Sequence, residues 1–370
     1  MHEVMMDGWG NPSSPHVVGR RAKEMLEDSR ATIAGVLGVD ADEIYFTSGS
    51  TESNNLAIRG ACLAQREHPG KIITSALEHS SVTRTVRGMR RDHDWDCRYV
   101  DAPDGGFDME QLVEHLQDGP TSLISVMRVQ NETGWIFPIP EIAALRDELA
   151  PGVPLHCDAT QAFCKMPVNP REWGVQLLTA GAHKIGGPRG IGILYVQRGL
   201  PMHTTAFGGN QERGLRSGTE PVFLAVGMAE AVRLTAAHME TNAEYAASLR
   251  ERAIEGLKRE IPDVVVHAPE GGSPYILSVS VPGLPNAVSV KHLSGRRVCV
   301  SRASACEENH TTVAPGTWRP KHPLSLQAAG IPLREGKETL RVSFFHQNTP
   351  EDIDRFVAVL AQCAREMRES

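Results

Sequence analysis

Lys184 stands in "LLTAGAHKIGGPRGIGILYV", just past one apolar run and just before a glycine-rich turn into another. A lysine at the carboxyl end of a buried strand lies where open α/β sheets place their ligands. Removed from water, its ammonium gives up a proton more readily, and the amine becomes a nucleophile suited to Schiff-base formation. A lysine in a surface turn is the plain alternative for this segment alone. Asp158 ends a second apolar run, "PLHCDA" (154–159). A carboxylate there needs a buried cationic or hydrogen-bonding partner, with helix capping or metal ligation as its other ordinary uses.

One group would use both residues. The protonated ring nitrogen of pyridoxal 5'-phosphate pairs with an aspartate, and its aldehyde takes a lysine. Gln161, three residues past Asp158, would hydrogen-bond the phenolic oxygen of that ring. The phosphate needs backbone N–H groups and hydroxyls. In "FTSGSTESNNLAIRG" (46–60), Ser48-Gly49-Ser50 turns out of a strand and Thr51 opens a helix, which provides both. Taken alone, such a turn is most often only a cap. His79, in "ALEHSSV", follows another strand end and would stack on the ring, with a structural role as its alternative. Arg341, in "LRVSFFHQNTPEDID", carries a guanidinium able to grip a carboxylate with two bonds. No GxGxxG or Walker pattern occurs, so dinucleotides and nucleoside triphosphates are not supported.

Short apolar runs must position these residues: 43–48, 71–76, 122–129, 154–159, 176–181 and 190–196. Amphipathic stretches at 15–37, 51–65, 79–91, 108–117 and 139–149 alternate with them. Runs that are apolar throughout and separated by helices predict an α/β fold with a largely parallel sheet covered on both faces. A long helical stretch over roughly 220–260 follows. Beyond it, "DVVVHA", "YILSVSV", "RRVCVS" and "LRVSFF", with helices near 324–330 and 350–368, predict a smaller α+β domain. The expected division is 1–240 and 241–370, in keeping with a chain of 370 residues. A net charge of −7 provides no basic surface for direct nucleic-acid binding. Seven cysteines without a CxxC spacing predict reduced thiols in a cytoplasmic protein. No apolar stretch approaches the length of a membrane span.

"GNPSSPH", "FTSGSTESNNLAIRG", "NETG", "DATQAFCKMPVN", "AHKIGGPRGIGILYV", "ERGLRSGT", "SRASAC" and "LRVSFFHQNTPEDID" occur in the order found in cysteine desulfurases. The chain resembles these pyridoxal-phosphate enzymes of the class V aminotransferase group over residues 8–365. The long segment after Cys306 resembles the branch that supplies sulfur for iron–sulfur clusters and tRNA thiolation. The resemblance implies fold-type I architecture, with a large cofactor-binding domain and a small domain carrying the cysteine. It implies that Lys184 bonds the cofactor, Asp158 holds the pyridinium, and Gln161 meets the ring oxygen. His79 would stack on the ring and serve in acid–base steps, while Ser50, Thr51 and His183 would bind the phosphate. Thr219 would reach the phosphate of a neighbouring subunit, which implies a homodimer. Asn131 and Arg341 would hold the carboxylate of L-cysteine. Cys306 would take the sulfur as a persulfide, leave L-alanine, and pass the sulfur to an acceptor protein.

A selenocysteine lyase, or a C–S lyase on a related sulfur amino acid, is the alternative within the same cofactor class. An inactive scaffold acting through a partner is the alternative outside it. Two departures carry expectations of their own. Where such enzymes place a phosphate-binding serine three residues before the lysine, this chain has Gly181. One lost hydroxyl bond to a charged phosphate is worth roughly 1.5–3 kcal/mol, so weaker cofactor retention is expected. The usual "SSGSAC" reads "SRASAC", and Ala303 predicts a stiffer backbone before Cys306.

Overall fold

The computed structural model describes residues 1–302, 326 and 329–369; Ala303 and Cys306 lie outside them. The chain divides into two compact units. The first comprises Met1–Val100, Asp108–Arg128 and Phe137–Met239. The second comprises Asp101–Phe107, Val129–Ile136 and Glu240–Ser370. Two short excursions from the first 240 residues therefore belong to the second unit, where the sequence suggests a single cut.

Seven strands of the first unit form one sheet: β1 (Ile44–Thr47), β2 (Lys71–Ser75), β3 (Asp96–Val100), β4 (Thr121–Met127), β5 (Leu155–Asp158), β6 (Leu177–Gly181) and β7 (Gly192–Val196). Their order is β1-β7-β6-β5-β4-β2-β3. β7 runs antiparallel to both its neighbours, and every other pairing of adjacent strands is parallel. All strands but β7 thus share one direction, and the carboxyl ends of β1, β2, β5 and β6 meet one edge of the sheet. β2, β6 and β7 are buried along their whole length, which is why apolar residues run on in them rather than alternate with exposed polar ones.

Helices α1 (His2–Asp7), α2 (Val17–Leu37), α3 (Ser50–Ala64), α4 (Ser80–His93), α5 (Met109–Gln117), α6 (Ile139–Leu149) and α7 (Val222–Ala237) belong to the same unit. α2 shows how the sequence sets their limits. His16 accepts the Gly19 N–H at its start, and Gly38 ends it in the left-handed region at φ 68°. One buried cluster joins Leu56, Ile58, Val82, Val86 and Met89 of α3 and α4 to Leu123 and Leu194 of the sheet.

β3 does not stand out in the sequence. It is an edge strand, and its paired Asp96 and Arg98 side chains, 2.9 Å apart, interrupt the apolar signal. The single long helix expected over 220–260 is two, α7 and α8 (Met239–Glu260), because the His238 N–H turns back onto Thr235 O and Ala236 O.

In the second unit, β8 (Val265–His267), β9 (Ile276–Ser280) and β10 (Thr339–Ser343) make an antiparallel sheet in the order β10-β9-β8. α9 (Asn286–Gly295), α10 (Leu333–Gly336) and α11 (Pro350–Arg368) accompany it. α11 starts from a Thr349–Asp352 capping box with Pro350 in its first turn. "RRVCVS" is not a strand: only Ser301 pairs, in one antiparallel bridge to Arg341, and Arg297 within it has φ 61°. Gly105 has φ 79°, and a Cβ there would lie 1.6 Å from the Trp135 ring, so the 101–107 and 129–136 excursions close on each other only with glycine.

Candidate active site

The carboxyl ends of β1, β2, β5 and β6 bring six of the expected residues to one edge of the first unit. Ser50 and Thr51 open α3 after β1, and His79 precedes α4 after β2. Asp158 ends β5, with Gln161 three residues on, and Lys184 follows β6.

Asp158 is buried, and its carboxylate is held from both sides. Asn54 Nδ2 donates to Oδ2 at 2.7 Å, and the Thr160 N–H donates to Oδ1 at 3.0 Å. The same Asn54 nitrogen donates to Ser81 Oγ at 2.8 Å. Ser81 Oγ lies 2.8 Å from His79 Nδ1, which also accepts the Ser81 N–H at 3.1 Å. A ring nitrogen that accepts a backbone N–H carries no proton of its own, so the neutral ring keeps its hydrogen on Nε2. Burial lowers the pKa of His79, helped by Lys184 and Arg84 and opposed by Asp158. Asn54 and Ser81 do not stand out in the sequence, because each shares its buried helix face with another polar residue, Ser53 and Thr85.

Other titratable groups surround this line. His156, fully buried two residues before Asp158, lies between Ser125 Oγ at 2.8 Å and Thr179 Oγ1 at 3.1 Å. Burial pushes its pKa down to about 4, against the pull of Asp158. Glu78 Oε1 accepts Ser75 Oγ at 2.6 Å and the Met127 N–H at 2.8 Å, while Oε2 has no partner among the described residues. Burial raises this carboxyl to about 8, and the nearby Asp158 adds to the rise. Lys165 Nζ donates to Gln161 Oε1 at 3.1 Å, which leaves the Gln161 amide nitrogen to face other acceptors. Burial and then Lys184 lower the Lys165 ammonium to about 7.

The first turn of α3 presents open N–H groups and the hydroxyls of Ser50 and Thr51. Ser50 Oγ is buried without a hydrogen-bond partner among the described residues, as are Asn54 Oδ1 and Thr160 Oγ1. Gly181 adjoins it: a Cβ there would lie 2.4 Å from Ser50 Oγ. The His183 pKa is lowered by partial burial of its ring, with Lys184, Arg189 and Lys165 nearby adding to the shift. Thr219 is exposed. The segment that leads to it is anchored by a buried pair, with Arg30 Nη1 and Nη2 each 2.8 Å from a Glu212 oxygen. Further along, Arg216 Nε donates to Glu52 Oε1 at 2.9 Å, tying this segment to the first turn of α3. These residues fit pyridoxal phosphate. They offer a carboxylate for the ring nitrogen, a lysine for the aldehyde, an imidazole, and a helix N-terminus with an unpartnered hydroxyl for the phosphate.

In the second unit, Arg341 Nη1 lies 3.3 Å from the backbone oxygen of the buried Asn131. The Asn131 turn is closed by Gln130 Oε1, which accepts the N–H groups of Glu132 and Thr133, each at 2.6 Å. Ser278, the β9 partner of Arg341, donates to Glu132 O at 2.7 Å. The structure therefore brings Asn131 and Arg341 together.

The class-V aminotransferase family matches residues 1–356, and the chain belongs to that family, whose members depend on pyridoxal phosphate. Among curated relatives, the cysteine desulfurase IscS of Dictyoglomus turgidum is 34% identical over 370 residues, covering 100% of this chain and 91% of its own. A NifS/IcsS protein homolog of Lactobacillus delbrueckii subsp. bulgaricus is 36% identical over 364 residues, covering 96% and 90%. Among solved structures, a NifS-like protein superposes with a TM-score of 0.88 at 29% identity, covering 97% of this chain and 92% of its own. SspA in complex with cysteine does so with a TM-score of 0.78 at 30% identity, covering 94% of each chain. Among the described residues, no single helix is long and apolar enough to cross a membrane.

Proposed function

We propose that the protein is a pyridoxal-phosphate-dependent cysteine desulfurase, converting L-cysteine to L-alanine and passing the sulfur on as a persulfide. The observation that carries this reading is the line Asp158–Asn54–Ser81–His79 beside Lys184, in a chain of the family that includes cysteine desulfurases. Pyridoxal phosphate supplies the electron sink for chemistry at the Cα and Cβ of a bound amino acid. Asp158, fixed in place by its two donors, would pair with the protonated ring nitrogen. Gln161, whose oxygen accepts from Lys165, has its amide nitrogen left to donate and would give it to the ring oxygen. Lys184 Nζ would hold the cofactor aldehyde and would carry a proton at the substrate Cα. His79 stacks on the ring, neutral at pH 7, with Nε2 as the atom that exchanges a proton.

Ser50, Thr51 and His183 hold the phosphate, and Thr219 reaches the phosphate of a second copy of the chain in a homodimer. Asn131 and Arg341 hold the substrate carboxylate. The Cys306 thiolate attacks the substrate sulfur, and the Cβ–S bond breaks with its electron pair going to the carbon side. Protonation there gives alanine, and the sulfur stays on Cys306 as a persulfide until an acceptor protein takes it. The assignment of Cys306 rests on the sequence resemblance. The described cysteines are all free, which supports a reducing, cytoplasmic setting.

Product analysis on L-cysteine, L-selenocysteine and a thioether amino acid tests this reading. Alanine formed from L-cysteine is expected. Pyruvate with ammonia, or turnover of the thioether alone, would overturn it in favour of a C–S lyase.

A further inference from the structure

We infer that Gly181 is a positioning residue for Ser50, and that positions 50 and 181 can supply only one phosphate-facing hydroxyl between them, which in this chain comes from Ser50. The inference rests on the reading that pyridoxal phosphate binds at this edge of the sheet. Gly181 closes β6 in an extended conformation, φ −137° and ψ 132°, which any residue adopts. Glycine is therefore not required by the backbone. What requires it is one atom: a Cβ at 181 would lie 2.4 Å from Ser50 Oγ, with the His183 ring next at an ordinary 3.5 Å.

The approach is built into the sheet. Thr47, Gly192 and Gly181 form one row across β1, β7 and β6. A Cβ at Gly192 would come within 2.8 Å of Gly49, so a second glycine admits the Ser48–Ser50 turn against the sheet. Ser50 Oγ then sits buried and unpartnered beside the open N–H groups of α3, the arrangement an anionic oxygen satisfies. The weaker phosphate binding expected from Gly181 alone does not follow, because the hydroxyl has moved from residue 181 to residue 50. Any side chain at 181 must push that hydroxyl aside.

A double-mutant cycle on the full-length chain tests this, with cofactor removed and pyridoxal phosphate titrated back. Affinity is read from absorbance, and the phosphate from its 31P resonance. Ser50→Ala should weaken binding about 10- to 100-fold, the loss of one hydrogen bond to a charged group. Gly181→Ala should do the same, and the double Ala variant should be no worse than about twofold beyond either single. Ser50→Ala/Gly181→Ser should recover most of the loss and return the 31P shift toward wild type. If Gly181→Ala does not fold, this rescue against Ser50→Ala decides alone. Unchanged affinity in Gly181→Ala, additive single effects, or no rescue overturns the inference while the cofactor reading stands. A wild-type chain that takes up no pyridoxal phosphate overturns the reading itself.

Discussion

Glu212→Gln should be among the most damaging changes to the first unit that touch neither cofactor nor substrate. The Arg30 and Glu212 side chains are 2% and 1% exposed, and both guanidinium nitrogens lie 2.8 Å from the carboxylate. Glu212 Oε2 also accepts the Phe46 N–H at 2.9 Å, so β1 depends on the same group. Glu212 and Arg213 have φ 44° and 52°, left-handed conformations that cost non-glycine residues roughly 1–3 kcal/mol each unless the surroundings enforce them. Glutamine keeps the shape but removes the charge and turns one acceptor into a donor facing a guanidinium. Arg30 Nε keeps its pair with the half-exposed Glu27 Oε2 at 3.1 Å, so the loss should fall at the lower end of the about 3–5 kcal/mol that a stranded buried cation costs, still a large share of a typical folding stability of about 5–15 kcal/mol. Urea unfolding of the holoprotein measures it. Arg30→Met/Glu212→Leu should cost less than Glu212→Gln, since Ile44 O keeps its bond from Arg213 and no charge is stranded; the Phe46 N–H, left without its acceptor, sets the remaining loss at about 1–3 kcal/mol. A loss below about 1 kcal/mol in the single variant, the scale of an exposed pair, would refute the reasoning, as would a double variant as weak as the single.

The pH dependence of stability should carry the mark of Glu78. Its folded pKa of about 8 exceeds the ordinary 4.5, so the folded state holds a proton that the unfolded chain releases, and this contribution is lost as pH rises from about 4.5 to 8. His156 works the other way between about 4 and 6.5 but is common to both proteins, so thermal melts of Glu78→Gln and wild type should differ in slope across about pH 4.5 to 8; parallel curves would contradict the assignment. Arg341→Lys should raise KM for L-cysteine about 10- to 100-fold with a smaller change in kcat, through loss of a two-bond grip on the carboxylate. Steady-state kinetics showing an unchanged KM would remove Arg341 from the substrate site.

Much of this is legible in the sequence because strand ends announce themselves. Lys184, Asp158, His79 and Ser50 each follow an apolar run, and a mostly parallel sheet brings such ends to one edge. Asn54 and Ser81 are not legible, because their role is a hydrogen-bond line joining α3, α4 and β5, and no local spacing encodes a contact between residues 104 positions apart. β3 is hidden by its own edge position, which tolerates charge. In sequence Gly181 reads as a missing hydroxyl, since only the three-strand row with Gly192 and Thr47 shows what occupies its place.

The most direct test of the central claim follows sulfur. The holoprotein is mixed with 35S-labelled L-cysteine without reductant, alanine is counted, and label is located by peptide mass analysis. One alanine per protein-bound sulfur is expected, with that sulfur on Cys306, and both label and alanine should be lost in Cys306→Ala. Alanine formed at the wild-type rate by Cys306→Ala, or label on another residue, would contradict it.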